Sequence, residues 1–197
     1  MTQTPTVPTA TSNDELLFNK TVEFLKANEG FEPVARPPVG IKGGKTTYGY
    51  GFEFKQDNQT RVTDGETISE EEADQLLRYK VEELHNSFSD RYEQYRNLPA
   101  SVKAGVLSFG FNAGINVFDD GRNQKFLRPA LDSGDPERLK KAMGLFVYGP
   151  QGSDPILKMR RLRELQMMND PNFLGEDLYN PFNDGTTPTS ASQAVGP

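Results

Sequence analysis

The sequence predicts an α+β fold, mostly helical, with a small β-hairpin lobe and a helical-bundle lobe joined by a long helix. Three observations predict it. Strand-like patterning is confined to a short stretch around Thr47 to Val62, set among prolines and glycines. A long helical pattern begins immediately afterwards, at Ser69. From Leu98 onward every apolar pattern is helical.

The elements follow in order. Residues 1–12 are rich in Thr and Pro and read as an extended arm. Ser12 or Asn13 can cap a helix whose first turn carries Asp14 and Glu15. Leu17, Val22 and Leu25 give it an apolar stripe, and it runs to about Asn28. From Pro33 to Gly44, Pro37-Pro38 and three glycines break regular structure. Thr47 to Phe54, a turn at Gln56-Asp57-Asn58 and Thr60 to Val62 read as a hairpin. Ser69 and Glu72 form a capping-box pattern, with Glu70 and Glu71 suited to the positive end of the helix. Ala73, Leu76, Leu77, Val81, Leu84 and Phe88 then keep helical spacing, long enough to join two lobes. Leu98 to Asn112 is the most apolar helix, with Ala104, Gly105, Ser108 and Gly110 small enough for close packing. Gln124 to Leu131 is a short helix, Asp135-Pro136 starts another through Phe146, and Asp154-Pro155 starts the last. Residues 13–171 thus form the domain, with a hairpin lobe at about 30–66 and a helical lobe at about 90–171. Residues 172–197 read as a polar tail.

Composition narrows the chemistry. The chain has 197 residues, no Cys, no Trp and one His, His85. Thiolate and His-cluster metal sites are thereby excluded, and nothing suggests a cofactor or metal. The net charge of -6 argues against a nucleic-acid partner, which calls for a basic face. No apolar run approaches the ~20 residues of a membrane span. The run Gly40 to Thr46 resembles a phosphate loop, but its spacing requires Gly at Val39 and a helix where a strand follows.

The chemistry centres on Glu29-Gly30 and on Thr47, eighteen residues later. A carboxylate where a helix stops, facing a hydroxyl on a strand that folds back, can cleave a sugar bond. A helix C-terminus carries roughly half a negative charge, which favours the protonated carboxyl that a general acid needs. The alternative is a solvated glutamate ahead of a glycine cap. Asn112 ends the apolar helix with an amide that can face a cleft. Arg160, Arg161 and Arg163 suggest an anion site, an exposed helix face, or a partner for a core acid.

These motifs in this order resemble the phage-type lysozymes of glycoside hydrolase family 24. The resemblance rests on Glu29-Gly30, Thr47-Tyr48-Gly49-Tyr50-Gly51, Val62-Thr63-Asp64-Gly65 with the acidic helix start, Ser108 to Gly114, and Arg160-Arg161 with Glu164. It spans about Asp14 to Met168 and implies a lysozyme-like domain. It implies cleavage of the β-1,4 bond between N-acetylmuramic acid and N-acetylglucosamine in peptidoglycan. Glu29 carries over as general acid, Thr47 as the residue that places the attacking water, and Asn112 as a substrate contact.

Two positions depart from the family. Its second carboxylate, an Asp some nine residues after the Glu, falls on Pro38, and its His after Gly-Tyr-Gly is Phe52. Glycosidases ordinarily use two carboxylates. Three readings stay open: a hydrolase with a rebuilt second acid such as Glu32 or Glu53, a one-acid enzyme with a transglycosylase-like anhydro product, and a lysozyme fold kept for structure or sugar binding. With no export signal in the sequence, the resemblance points to a phage virion, its terminal tails docking on tail or other virion proteins. A free endolysin in the host cytoplasm before holin-dependent release is the alternative.

Overall fold

The computed structural model describes residues 12–38, 44–119, 125–149 and 152–174. Most of the expected arm and tail lies outside them. Helix α1 spans Asn13–Glu29, and the Ser12 hydroxyl accepts the Glu15 amide at 3.1 Å. Leu17, Thr21 and Leu25 are its buried face. It ends at Gly30 with φ 71°, a left-handed conformation that glycine adopts without the Cβ clash.

The crossing after α1 corrects the sequence reading. Glu32–Arg36 form strand β1, antiparallel to β2 at Thr47–Gly49. Glu32 pairs with Gly49 and Arg36 with Thr47, so β1 carries a bulge between them. Pro33 is compatible with a strand here because only its carbonyl is used, accepting the Ile68 amide at 3.0 Å. The expected hairpin shrinks correspondingly: beyond β2 only the single bridges Tyr48–Phe52 and Phe54–Arg61 form. Gly49 has φ 59°, and a Cβ there would lie 2.9 Å from the Phe52 ring and 3.3 Å from Ala73. This close approach seats the small sheet on the next helix.

That helix, α2, spans Glu70–Arg91 and starts with both hydrogen bonds of the capping box. Ala73, Leu76 and Leu77 in its first half, and Val81 and Phe88 in its second, are buried. A 3₁₀ turn at Glu93–Asn97 leads to α3, Ala100–Ala113, whose central residues are almost all buried. Around it lie α4 (Leu127–Asp132), α5 (Pro136–Gly144) and α6 (Pro155–Met168), the last two capped by Asp135 and Asp154 as expected. A short antiparallel pair, β3 (Tyr148–Gly149) and β4 (Gly152–Ser153), precedes α6. Phe88 stacks on Tyr95 at 5.2 Å and meets Phe118 edge-on at 5.3 Å, forming an aromatic centre. Phe173 and Leu174 are buried in the core, so the tail begins later than residue 172. Among the described residues no helix is long and apolar enough to cross a membrane.

Candidate active site

Glu29 is the last residue of α1, and its side chain is 21% exposed. The chain passes through Gly30 and Phe31 directly into β1, so helix end and sheet are one continuous piece. Phe31 rests on Tyr50 at 5.7 Å. Tyr50 donates to Asp74 Oδ1 at 2.7 Å, and Lys26 Nζ lies 2.6 Å from Asp74 Oδ2. Asp74 raises the Lys26 ammonium above its usual value, while burial raises the Tyr50 phenol. The last turn of α1 is thereby tied to α2 as well as to the sheet.

From the other lobe, Arg160 Nη1 donates to Glu29 Oε1 at 2.5 Å. Arg160 is itself buried, and its Nε donates to Glu164 Oε1 at 3.2 Å. The Ser108 hydroxyl donates to the same oxygen at 2.8 Å. Arg161 Nη1 lies 2.6 Å from Glu164 Oε2, off the hydrogen-bond direction, so this contact is coulombic. Arg161 Nη2 donates to Asn112 Oδ1 at 2.6 Å, and its guanidinium lies 4.5 Å from the centre of the Phe109 ring. Burial pushes the Glu164 carboxyl up, opposed by Arg161, Ser108 and Arg160. Burial pushes the Arg161 guanidinium down, opposed by Glu164. Arginine does not give up its proton in proteins, so the ion pairs persist.

The structure thus ties two of the three expected residues into one network. Glu29 and Asn112 are held by adjacent arginines of α6. Thr47 opens β2 opposite Arg36, half-buried, and makes no side-chain hydrogen bond among the described residues. Sequence reasoning left the roles of Arg160 and Arg161 open and missed Glu164 and Ser108 as their partners. The available signal was Glu164 standing four and three residues after the two arginines, with two serines, Ser101 and Ser108, in the most apolar helix.

A cleft of about 400 Å³ opens between the lobes, lined by Gly51, Phe52, Glu53, Lys80, Phe111 and Gly114; Glu29, Thr47 and Asn112 are not among its lining residues. Phe52, where the resemblance has a histidine, is buried and meets Tyr50 at 6.2 Å and Phe111 at 6.4 Å, both edge-on. An aromatic bridge therefore joins sheet to α3 beside the cleft. Pro38 is exposed, and the nearby carboxylates are engaged: Glu32 with Arg36 at 2.9 Å, Glu53 with Lys45 at 2.8 Å. Glu164 is linked to Glu29 through Arg160 but lies inside the helical lobe, 1% exposed, out of a sugar's reach.

A two-lobed fold with a cleft between sheet and helices, and a carboxyl held at the helix–sheet junction, defines a lysozyme-type protein. The family model for phage lysozyme matches residues 26–164. The chain belongs to the phage lysozyme family, and with it to the glycoside hydrolases that degrade peptidoglycan. Among solved structures it is similar to the muramidase domain of SpmX from Asticaccaulis excentricus, with 21% identity and a TM-score of 0.60, covering 77% of this chain and 95% of that one. It is likewise similar to the endolysin from Escherichia coli O157:H7 phage FAHEc1, with 22% identity and a TM-score of 0.59, covering 83% and 96%. At this identity the likeness carries the fold. No curated protein matches by sequence.

Proposed function

We propose that this lysozyme cleaves the β-1,4 bond between N-acetylmuramic acid and N-acetylglucosamine, with Glu29 as general acid. The observation that carries this reading is the contact between Glu29 and the buried Arg160. A merely solvated glutamate after a helix needs no guanidinium braced from the opposite lobe. Glu29 protonates the glycosidic oxygen, the bond to the anomeric carbon breaks, and an oxocarbenium-like centre forms. Water, oriented by the Thr47 hydroxyl, adds to that carbon and returns a proton to Glu29. Asn112, next to Phe111 of the cleft wall, contacts the sugar chain.

A second reading has a specific observation behind it. The only carboxylate between Glu29 and Thr47 is Glu32, and it is engaged by Arg36. In a one-acid route the substrate's acetamido oxygen assists departure. The muramic C6 hydroxyl then closes on the anomeric carbon, its proton passes to Glu29, and an anhydro end results.

Digestion of purified peptidoglycan by wild type and Glu29→Gln, with products identified by mass spectrometry, tests both. Loss of the acid is expected to lower the rate by roughly 10²- to 10⁴-fold. Reducing muramic ends support hydrolysis, and anhydro ends the one-acid route. An inactive, folded wild type leaves a structural or sugar-binding role. The lysozyme is carried on a phage particle, a reading supported by the Thr/Pro-rich and polar segments that flank the domain. Its absence from washed virions would sink that reading in favour of a free endolysin.

A further inference from the structure

Glu164 is the most enclosed carboxylate among the described residues, 1% exposed. It stands between two guanidiniums that diverge from it. Arg160 reaches Glu29 at 2.5 Å, and Arg161 reaches Asn112 at 2.6 Å. Without the Glu164 charge, two adjacent buried cations would face each other with only Glu29 to offset them, and a buried charge left unpaired is costly. The cluster Arg160, Arg161, Glu164 and Glu29 is electrically neutral only when Glu29 is ionised. Proton donation by Glu29 therefore restores neutrality, while taking the proton back leaves one net positive charge.

We propose that Glu164 is a positioning residue: it holds Arg160 and Arg161 so that Glu29 and the Asn112 amide are set together, and its charge sets how readily Glu29 regains its proton. The inference rests on the reading of Glu29 as the acid. The other charged groups packed near Glu29 are accounted for. On α6, Arg163 donates to Asn28 at 2.9 Å. On α1, Lys26 is held by Asp74 of α2. On β1, Glu32 is tied to Arg36. Helix α3 contributes Ser108 and Asn112, its single charge, Lys103, lying over the Tyr95 ring at 5.9 Å.

The test is Glu164→Gln, which keeps the shape and removes the charge. Activity on peptidoglycan is measured across pH, beside a thermal melt. The alkaline limb is expected to move roughly one pH unit downward, because an extra net cation favours the ionised acid. The kcat should fall roughly tenfold as Arg160 loses its brace. A purely structural role would lower the melting temperature and leave the limb in place. If Glu164→Gln does not fold, the double variant Arg161→Met/Glu164→Gln removes one charge of each sign. It should return the limb to the wild-type position, with KM raised through the lost Asn112 contact. A folded Glu164→Gln whose profile superimposes on wild type overturns the proposal, as does a double variant with wild-type kcat and KM. Glu29→Gln run alongside separates the failures. Full activity there, or an inactive wild type, removes the acid reading together with this inference. An inactive Glu29→Gln with an unmoved Glu164→Gln profile removes this inference alone.

Discussion

From Ser101 to Gly110 on α3, every residue except Lys103 is buried; from Gly51 to Gly65 in the hairpin lobe, only Phe52 and Val62 are. The helical lobe is therefore held by packed apolar area around one helix. The hairpin lobe is held by turns and charges: Lys55 meets Glu66 at 3.0 Å, Asp57 accepts the Gln59 and Thr60 amides at 2.9 and 2.8 Å, and Arg61 lies 4.7 Å from the Phe54 ring centre. The difference explains where the acid is braced. Glu29 belongs to the helix leading into the sheet, yet the group that fixes it comes from α6, where burial holds an arginine still. A lobe of exposed ion pairs could not do this, because such pairs are individually worth about 0–1 kcal/mol and are screened by salt.

The largest test of that contrast is Phe109→Ala. Phe109 is wholly buried and touches Phe118, Phe146 and Arg161. A loss of about 3–5 kcal/mol is expected, read by denaturant or thermal unfolding. A cost under about 1 kcal/mol would mean the site relaxes freely and the helical lobe is not the rigid partner. A smaller effect is expected from Tyr50→Phe in the hairpin lobe. It removes one hydroxyl from Asp74, which keeps Lys26, and should cost about 1 kcal/mol. Amide exchange should quicken in β1 and β2 while α3 stays protected. Uniform quickening would show that the lobes open together.

The subtlest separation is by pH. Burial, and then the bond to Asp119, push the Tyr92 phenol in the helical lobe up to about 12. Folding thus favours its neutral form, so this stabilisation is complete below the ordinary phenol value of about 10 and is lost as pH climbs from there to 12. Tyr92→Phe should remove that alkaline component from the unfolding profile. In the hairpin lobe the Thr60 hydroxyl, then the Thr60 and Gln59 amides, bring the Asp57 carboxyl down to about 2. Its contribution is present above the ordinary value near 4 and lost as pH falls toward 2. Acid should therefore first release the Gln59 and Thr60 amides, measured by exchange at low pH. Simultaneous release of α3 amides would sink the contrast.

Much of the frame was legible because its signals are local. Ser69 with Glu72, Asp135-Pro136 and Asp154-Pro155 mark helix starts by bonds within four residues, and each helix begins there. Glu29-Gly30 marked the end of α1 because a left-handed glycine closes a helix regardless of the rest of the chain. Strand β1 was hidden by prolines and by a bulge, and it exists because residues 65–68 supply partners, with Ala35 donating to the Glu66 carbonyl at 2.7 Å.

The site divides the same way. The sequence by itself determined that a glutamate ends a helix before a small sheet, that a threonine opens the facing strand, and that an asparagine ends the most apolar helix. Only the tertiary structure decided what holds them. Arg160 and Glu29 are 131 residues apart in the chain, and Glu164 and Ser108 are 56 apart. Caps and turns act through neighbouring peptide groups and are written into adjacent letters. An ion pair depends on distance and burial in space, and Arg160, Arg161 and Arg163 look alike in sequence until packing buries the first two and leaves the third in water.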